Sequence, residues 1–166
     1  MDDLIRVYFA GKVGKGDWRH ALVPDLRDSM GAIGTPIRCD QFVYCGPFFI
    51  ACDHGCAHGP GTHGVGPNCI GETSPPRWLV PSLCFRWLRR ADLVFAWIDD
   101  PTCYGTLTEI GWAHALGKPV YVGFATEELA REMWFAASGP RTGSAIHATA
   151  KAALRYALLY ESLQRP

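Results

Sequence analysis

The sequence predicts an α/β fold, a doubly wound parallel sheet with helices on both faces. Three observations carry this. Leu4–Ala10, Ala91–Ile98 and Val120–Phe124 are short, near-continuous apolar runs, which is how strands covered on both faces read. Stretches with helical spacing alternate with them. Glycine or proline punctuates the changes of pattern, at Gly11, at Gly46-Pro47, and at Gly117 with Pro119.

The first run stops at Gly11, and Gly11-Lys12-Val13-Gly14-Lys15-Gly16 follows as a flexible loop. Asp17 is placed to cap a helix through Trp18, Ala21, Leu22, Leu26 and Met30, with Pro24 tolerated only near its first turns. A second strand is expected over Gln41–Tyr44, ending at Cys45-Gly46-Pro47. Trp78–Arg90 has helix spacing, with Leu79, Leu83, Trp87 and Leu88 on its apolar side. Ala91–Ile98 is the central strand. Gly105–Leu116 reads as a helix ended by Gly117. After the strand Val120–Phe124, Thr126 caps a helix over Glu127–Ala137, and a final amphipathic helix runs from about Ile146 to Leu163. Trp78, Trp87, Trp97 and Trp134 fit apolar faces and are expected in the core.

The bulk properties narrow the function. A length of 166 residues fits one domain, residues 1–166, without internal repeats or a linker. Sixteen basic and sixteen acidic side chains cancel, so no global field favours a nucleic-acid polymer or a membrane surface. No apolar run reaches the roughly 18 residues of a membrane span. Met1-Asp2-Asp3 is acidic where a secretory leader carries positive charge, so a soluble, cytoplasmic protein is expected. Seven cysteines, an odd count in that compartment, read as free thiols or metal ligands.

Residues 48–76 form a Cys/His/Gly-rich insertion loop without helical or strand periodicity, and loops of this length are usually functional. Cys52, His54, Cys56, His58, His63 and Cys69 are of the types that ligate zinc, and a structural zinc would order a loop too glycine-rich to order itself. Their spacing matches no standard finger. Three readings stay open: a zinc site, a substrate-binding lid, and a metal-free loop held by backbone turns.

In open α/β sheets ligands bind beyond the carboxyl ends of the strands. Three segments meet there: the loop after the first strand, the Cys45–Pro47 turn, and Asp99–Glu109. In the first, Gly11, Gly14 and Gly16 let backbone N–H groups approach an anion, and Lys12, Lys15 or Arg19 can pair with it; an ordinary flexible turn reads the same way. In the last, Glu109 lies about one turn inside its helix, close enough to face the cleft. Gly105 and Gly111 leave room beside it. Such a carboxylate can attack an anomeric carbon and form a covalent glycosyl-enzyme. A glutamate favoured by the helix dipole is the structural alternative.

The run Gly105-Thr106-x-x-Glu109-x-Gly111-x-Ala113-x-Ala115-x-Gly117-Lys118-Pro119-Val120, with Ala91-Asp92-Leu93-Val94 before it, resembles the nucleoside 2-deoxyribosyltransferase family. Val7–Gly11 resembles it too, and Tyr44-x-Gly46-Pro47 is compatible; the insertion lies outside the resemblance. The resemblance implies a flavodoxin/Rossmann-like sheet and cleavage of an N-glycosidic bond. It makes Glu109 the nucleophile, oriented by Tyr8, with Gly46, Pro47, Gly105 and Thr106 among the substrate contacts. Relatives either exchange bases between deoxynucleosides or hydrolyse nucleoside monophosphates, and a basic glycine-rich first loop favours the nucleotide. No cofactor is required, and a homodimer or higher oligomer is implied. Two departures concern the acid. Family aspartates would fall at Cys103, six residues before Glu109, and near Cys84, and a thiol does not replace a carboxylate's proton work unless its pKa is strongly shifted. Asp99 or Asp100 is the alternative source of that proton.

The expected function is therefore cleavage of a nucleoside or nucleotide through Glu109, with transfer to water or another base. A non-catalytic nucleotide-binding or sensor domain is the alternative that Cys103 and Cys84 favour. Cleavage of NAD by the same chemistry, as in the similarly wound TIR domains, rests on fold analogy.

Overall fold

The computed structural model describes residues 4–14, 16–26, 35–48 and 80–164. Its elements are β1 (Arg6–Gly11), β2 (Ile37–Arg38), β3 (Val43–Tyr44), α1 (Val80–Arg90), β4 (Leu93–Ile98), α2 (Tyr104–Ala115), β5 (Val120–Phe124), α3 (Glu127–Glu132), β6 (Thr142–Ile146) and α4 (Ala150–Gln164). The described strands form one sheet in the order β2-β3-β1-β4-β5-β6. Strands β3, β1, β4, β5 and β6 are parallel, and β2 joins β3 antiparallel. The sheet is the doubly wound α/β type expected, with an antiparallel edge.

The pleat sorts the helices. Tyr8 faces α2, where its hydroxyl meets Glu109. The next residue, Phe9, points to the opposite face and packs on Phe95 and Trp18. Tyr121 shares the register of Phe9 and Phe95 and packs on Tyr160 of α4. Thus α2 covers one face, with α1 against it through Phe85 and Trp112, and α4 covers the other. Every residue of β4 is buried, as its unbroken apolar run requires. The parallel strand that follows β1 lies on one side of it and β4 on the other, so the winding reverses between β1 and β4. Ligands of such sheets bind at that crevice.

Four local expectations are corrected. The segment after Asp17 forms two short 3₁₀ turns, Trp18–Ala21 and Pro24–Leu26, because Pro24 lacks the N–H a continuing helix needs. Residues 142–146 pair with β5 as edge strand β6, so the last helix begins at Ala150. Helix α3 stops at Glu132, which leaves Trp134 in a turn and 61% exposed; Trp87 and Trp97 are buried as expected. The two-residue strand β2 extends the sheet beyond β3, where no apolar pattern announced it.

Candidate active site

Gly11 ends β1 at a crowded point. A Cβ there would lie 2.8 Å from the Trp18 ring and 3.0 Å from the Arg19 guanidinium, so only glycine admits the turn that folds back over it. Arg19 is fully buried. Its Nε and Nη2 donate to the Phe9 carbonyl at 3.1 and 3.0 Å, and Nη2 also to the Gly11 carbonyl at 2.8 Å. Nη1 donates to both carboxylate oxygens of Asp17 at 2.9 Å. The guanidinium also sits 4.4 Å from the Trp18 ring centre. The sequence suggests Arg19 as an anion ligand; the structure engages it inside the fold, where it locks the end of β1 to the following turn.

Lys12 is also engaged. Its Nζ donates to Asp100 Oδ2 at 2.7 Å and to Thr102 Oγ1 at 2.6 Å, which ties the loop after β1 to the loop after β4. The Lys12 hydrogen bond, followed by those from Thr102, holds the Asp100 carboxyl down at about 2. Asp99 beside it behaves oppositely. Burial raises its pKa, although Trp97 Nε1 donates to Oδ2 at 3.1 Å. Lys12, Gly14, Gly16, Asp17, Trp18, Asp99 and Asp100 line a cavity of about 300 Å³ at the crevice. Gly14 and Gly16 have open space where a side chain would stand, and Gly16 has φ +66°. Lys15 lies outside the described residues.

On the other face of the sheet, Glu109 of α2 is partly buried against β1. The Tyr8 hydroxyl donates to its Oε1. Cys84, from α1, is buried, and its thiol is among the groups that act on the Glu109 carboxyl. Burial pushes the Glu109 carboxyl up to about 7, opposed by the Tyr8 hydrogen bond, the Arg19 charge and the Cys84 thiol. Tyr8 is raised well above its ordinary value, first by burial and then by the Glu109 charge, so it stays a donor. A carboxyl poised near neutrality and aligned by a phenol can serve as nucleophile or as proton carrier. Glu109 is not part of the described cavity lining. Tyr8, its partner, lies three residues before Gly11 on β1.

The remaining sequence candidates divide. Thr106 lies one turn before Glu109 on the same helix face, 2% exposed, and its hydroxyl has no hydrogen-bond partner among the described residues. Gly105 and Gly111 have open space beside them. Gly46 and Pro47 belong to the framework. Gly46 has φ +122°, its carbonyl accepts from Phe9 N at 2.9 Å, and a Cβ there would meet Trp87 at 3.1 Å. Cys103 is buried with its Sγ 3.8 Å from Met133 Sδ. Of the two thiols, Cys84 acts on the Glu109 carboxyl, while Cys103 turns toward Met133 at the end of α3. Trp18 walls the cavity because the turn after β1 folds back over Gly11.

Cys52, His54, Cys56, His58, His63 and Cys69, the metal candidates of the insertion, lie outside the described residues. Among the described residues no cluster of three or more His, Cys, Asp or Glu side chains is arranged for a metal ion. No described helix is long and apolar enough to cross a membrane. A larger cavity, about 790 Å³, lies at the opposite end of the strands, where Leu4, Ile5 and Gln41 meet Tyr156, Leu159 and Glu161 of α4. It brings none of the site residues together.

No protein-family model and no curated protein sequence matches the chain. Among solved structures, it is similar to that of a CMP N-glycosidase, BcmB, from Clostridium botulinum. The TM-score is 0.50 and the identity 18%, over 93% of this chain and 98% of that one. At this identity the likeness is one of fold. The doubly wound architecture expected from the sequence is the one found.

Proposed function

We propose that this protein cleaves the N-glycosidic bond of a nucleoside or nucleotide, with Glu109 as nucleophile. The observation that carries the reading is the Glu109 carboxyl itself: aligned by Tyr8, partly buried, and raised to about 7. In its ionised form one oxygen attacks the anomeric carbon as the bond to the base breaks, and the electron pair of that bond leaves with the base. The base takes up a proton. Water or a second base then attacks the same carbon and frees the carboxylate.

Asp99 is our candidate for the proton donor. It follows β4 at the carboxyl end of the sheet, and burial raises its pKa above the ordinary carboxylate value. Asp100, kept ionised by Lys12, instead holds the two loops together. Arg19 is paired with Asp17 and Lys12 with Asp100, so both cations already have carboxylate partners. That arrangement favours an uncharged nucleoside over a monophosphate. The CMP N-glycosidase of similar fold supports the bond class, while the substrate form is decided by measurement.

The test is base release by chromatography from a panel of nucleosides, nucleoside monophosphates and NAD, with wild type and Glu109→Ala. Release that requires Glu109 is the expected result. A folded wild-type protein that releases nothing from any of them leaves the nucleotide-binding domain as the reading. Release from NAD alone transfers the same chemistry to a different substrate.

A further inference from the structure

We propose that the flank of α4 beside the β2–β3 edge is a second binding site, for an organic anion with an apolar body. Its phosphate or carboxylate head sits among Arg38, Lys151 and Arg155, and its body runs along α4 toward Leu159. The proposal is independent of the reading of Glu109.

Helix α4 lies close to the sheet because its inner stripe is small. Ala150, Ala153 and Ala157 are buried, and a Cβ on Gly123 of β5 would come within 2.6 Å of the Ala153 Cβ. The next stripe holds Lys151, Arg155, Leu158 and Ser162, spaced to share one side of the helix. That side borders two cavities. One, about 420 Å³, has Lys151 and Arg155 on its helix wall, with Arg38 contributed by β2. The other is the cavity of about 790 Å³ at Leu4 and Ile5. Gln41, Arg155 and Leu158 line both, so the two adjoin. Each falls in the size range of small-molecule sites.

The two ends differ in chemistry. At the smaller cavity Arg38, Lys151 and Arg155 stand with Asp25 and Asp40, so positive charge is in excess. Among the described residues none of these three cations has an ion-pair partner, whereas Arg6, Lys12 and Arg19 each have one. Lys151 and Arg155 lie one turn apart on the same face, so both can converge on one anionic head. The larger cavity is walled by Leu4, Ile5, Leu158, Leu159 and the Tyr156 ring. Tyr156 and Leu159 are 57% and 54% exposed, apolar surface that an apolar body removes from water. Glu161 lines that cavity too, and a carboxylate there repels an anionic head and directs it toward Arg155. The site thus has a direction, head toward the start of α4 and body toward its end. It shares no residue with the crevice cavity at Lys12 and Asp99.

The probe is octyl phosphate below its micelle concentration, with octylammonium and octanol as charge-reversed and neutral controls. Calorimetry reads the affinity, and amide shifts in labelled protein read the place. Octyl phosphate should saturate one site per chain, bind about 10-fold or more tighter than either control, and shift amides of β2 and α4. Arg155→Gln, and Lys151→Gln as a second head variant, should each weaken it by about 10-fold while leaving octanol unchanged. Leu159→Gln should weaken both by about 5-fold. These side chains are exposed, so melting temperature and base release should not move. Equal affinity for octylammonium, full affinity in both head variants, or uptake that never saturates would overturn the proposal. So would binding to phosphatidylglycerol vesicles with none to dispersed octyl phosphate, which marks adsorption to a lipid surface.

Discussion

The Tyr8 hydroxyl meets the Glu109 carboxylate although 101 residues of chain separate them. The contact requires β1 and β4 to pair in parallel, because α2 is reached only after β4 and lies on the face toward which Tyr8 points. It makes one partly buried acid both available and oriented. The predictions below follow from that pair and its surroundings.

Glu109 links activity to stability in opposite senses. Its folded pKa is about 7 against an ordinary 4.5, so between those values the unfolded chain ionises while the folded chain keeps its proton. The stability it contributes is complete below about pH 4.5 and is lost as pH rises through about 7. Glu109→Gln should therefore be more stable than wild type above neutrality, by roughly 2 kcal/mol, with the difference vanishing at acid pH. Wild-type kcat/KM should rise through the same region as the nucleophile ionises. Thermal melts and rates across the pH range check both. A variant as active as wild type would remove Glu109 from the chemistry.

Tyr8→Phe deletes a donor that favours the ionised carboxylate. The acid limb of the pH–rate profile should move to higher pH, with kcat down by roughly 10- to 100-fold. Substrate KM should change much less, which steady-state kinetics at several pH values will show.

Asp99→Asn should slow the release of ordinary bases by roughly 100-fold or more. A substrate whose leaving group departs without protonation should be nearly indifferent to it. Equal losses on both substrates would assign Asp99 to the framework with Asp100.

Thr106→Val replaces a buried hydroxyl that has no hydrogen-bond partner among the described residues with a methyl of similar shape. The fold should lose nothing, and the melting temperature should hold or rise by a few degrees. If the hydroxyl meets substrate, KM should rise by about 10-fold at unchanged stability. Calorimetric binding with the Glu109→Gln variant measures that term alone.

Arg19→Met leaves Asp17 buried and unpaired and unties two β1 carbonyls. Unfolding free energy should fall by about 3–5 kcal/mol, read by urea titration. A phosphate ligand role would instead show as weaker nucleotide binding at unchanged stability.

The fold was largely legible because strands covered on both faces appear as unbroken apolar runs, as at Val7–Ala10 and Leu93–Ile98. Strand β6 was not, since Thr142–Ile146 is an edge strand with three of its five residues exposed and owes its conformation to pairing with β5. The turn after Asp17 kept its cap but not its length, because Pro24 outweighed the apolar spacing.

At the site, the sequence by itself determined which side chains were candidates. Glu109, the glycines around it and the basic loop are local patterns, and local patterns survive without a fold. The tertiary structure decided what state those side chains are in. The pairing of Lys12 with Asp100, the contact of Cys103 with Met133, and the rise of one glutamate from 4.5 to about 7 all arise between segments remote in sequence. Charge, burial and hydrogen bonding act through space, and residue type alone does not specify which groups share that space.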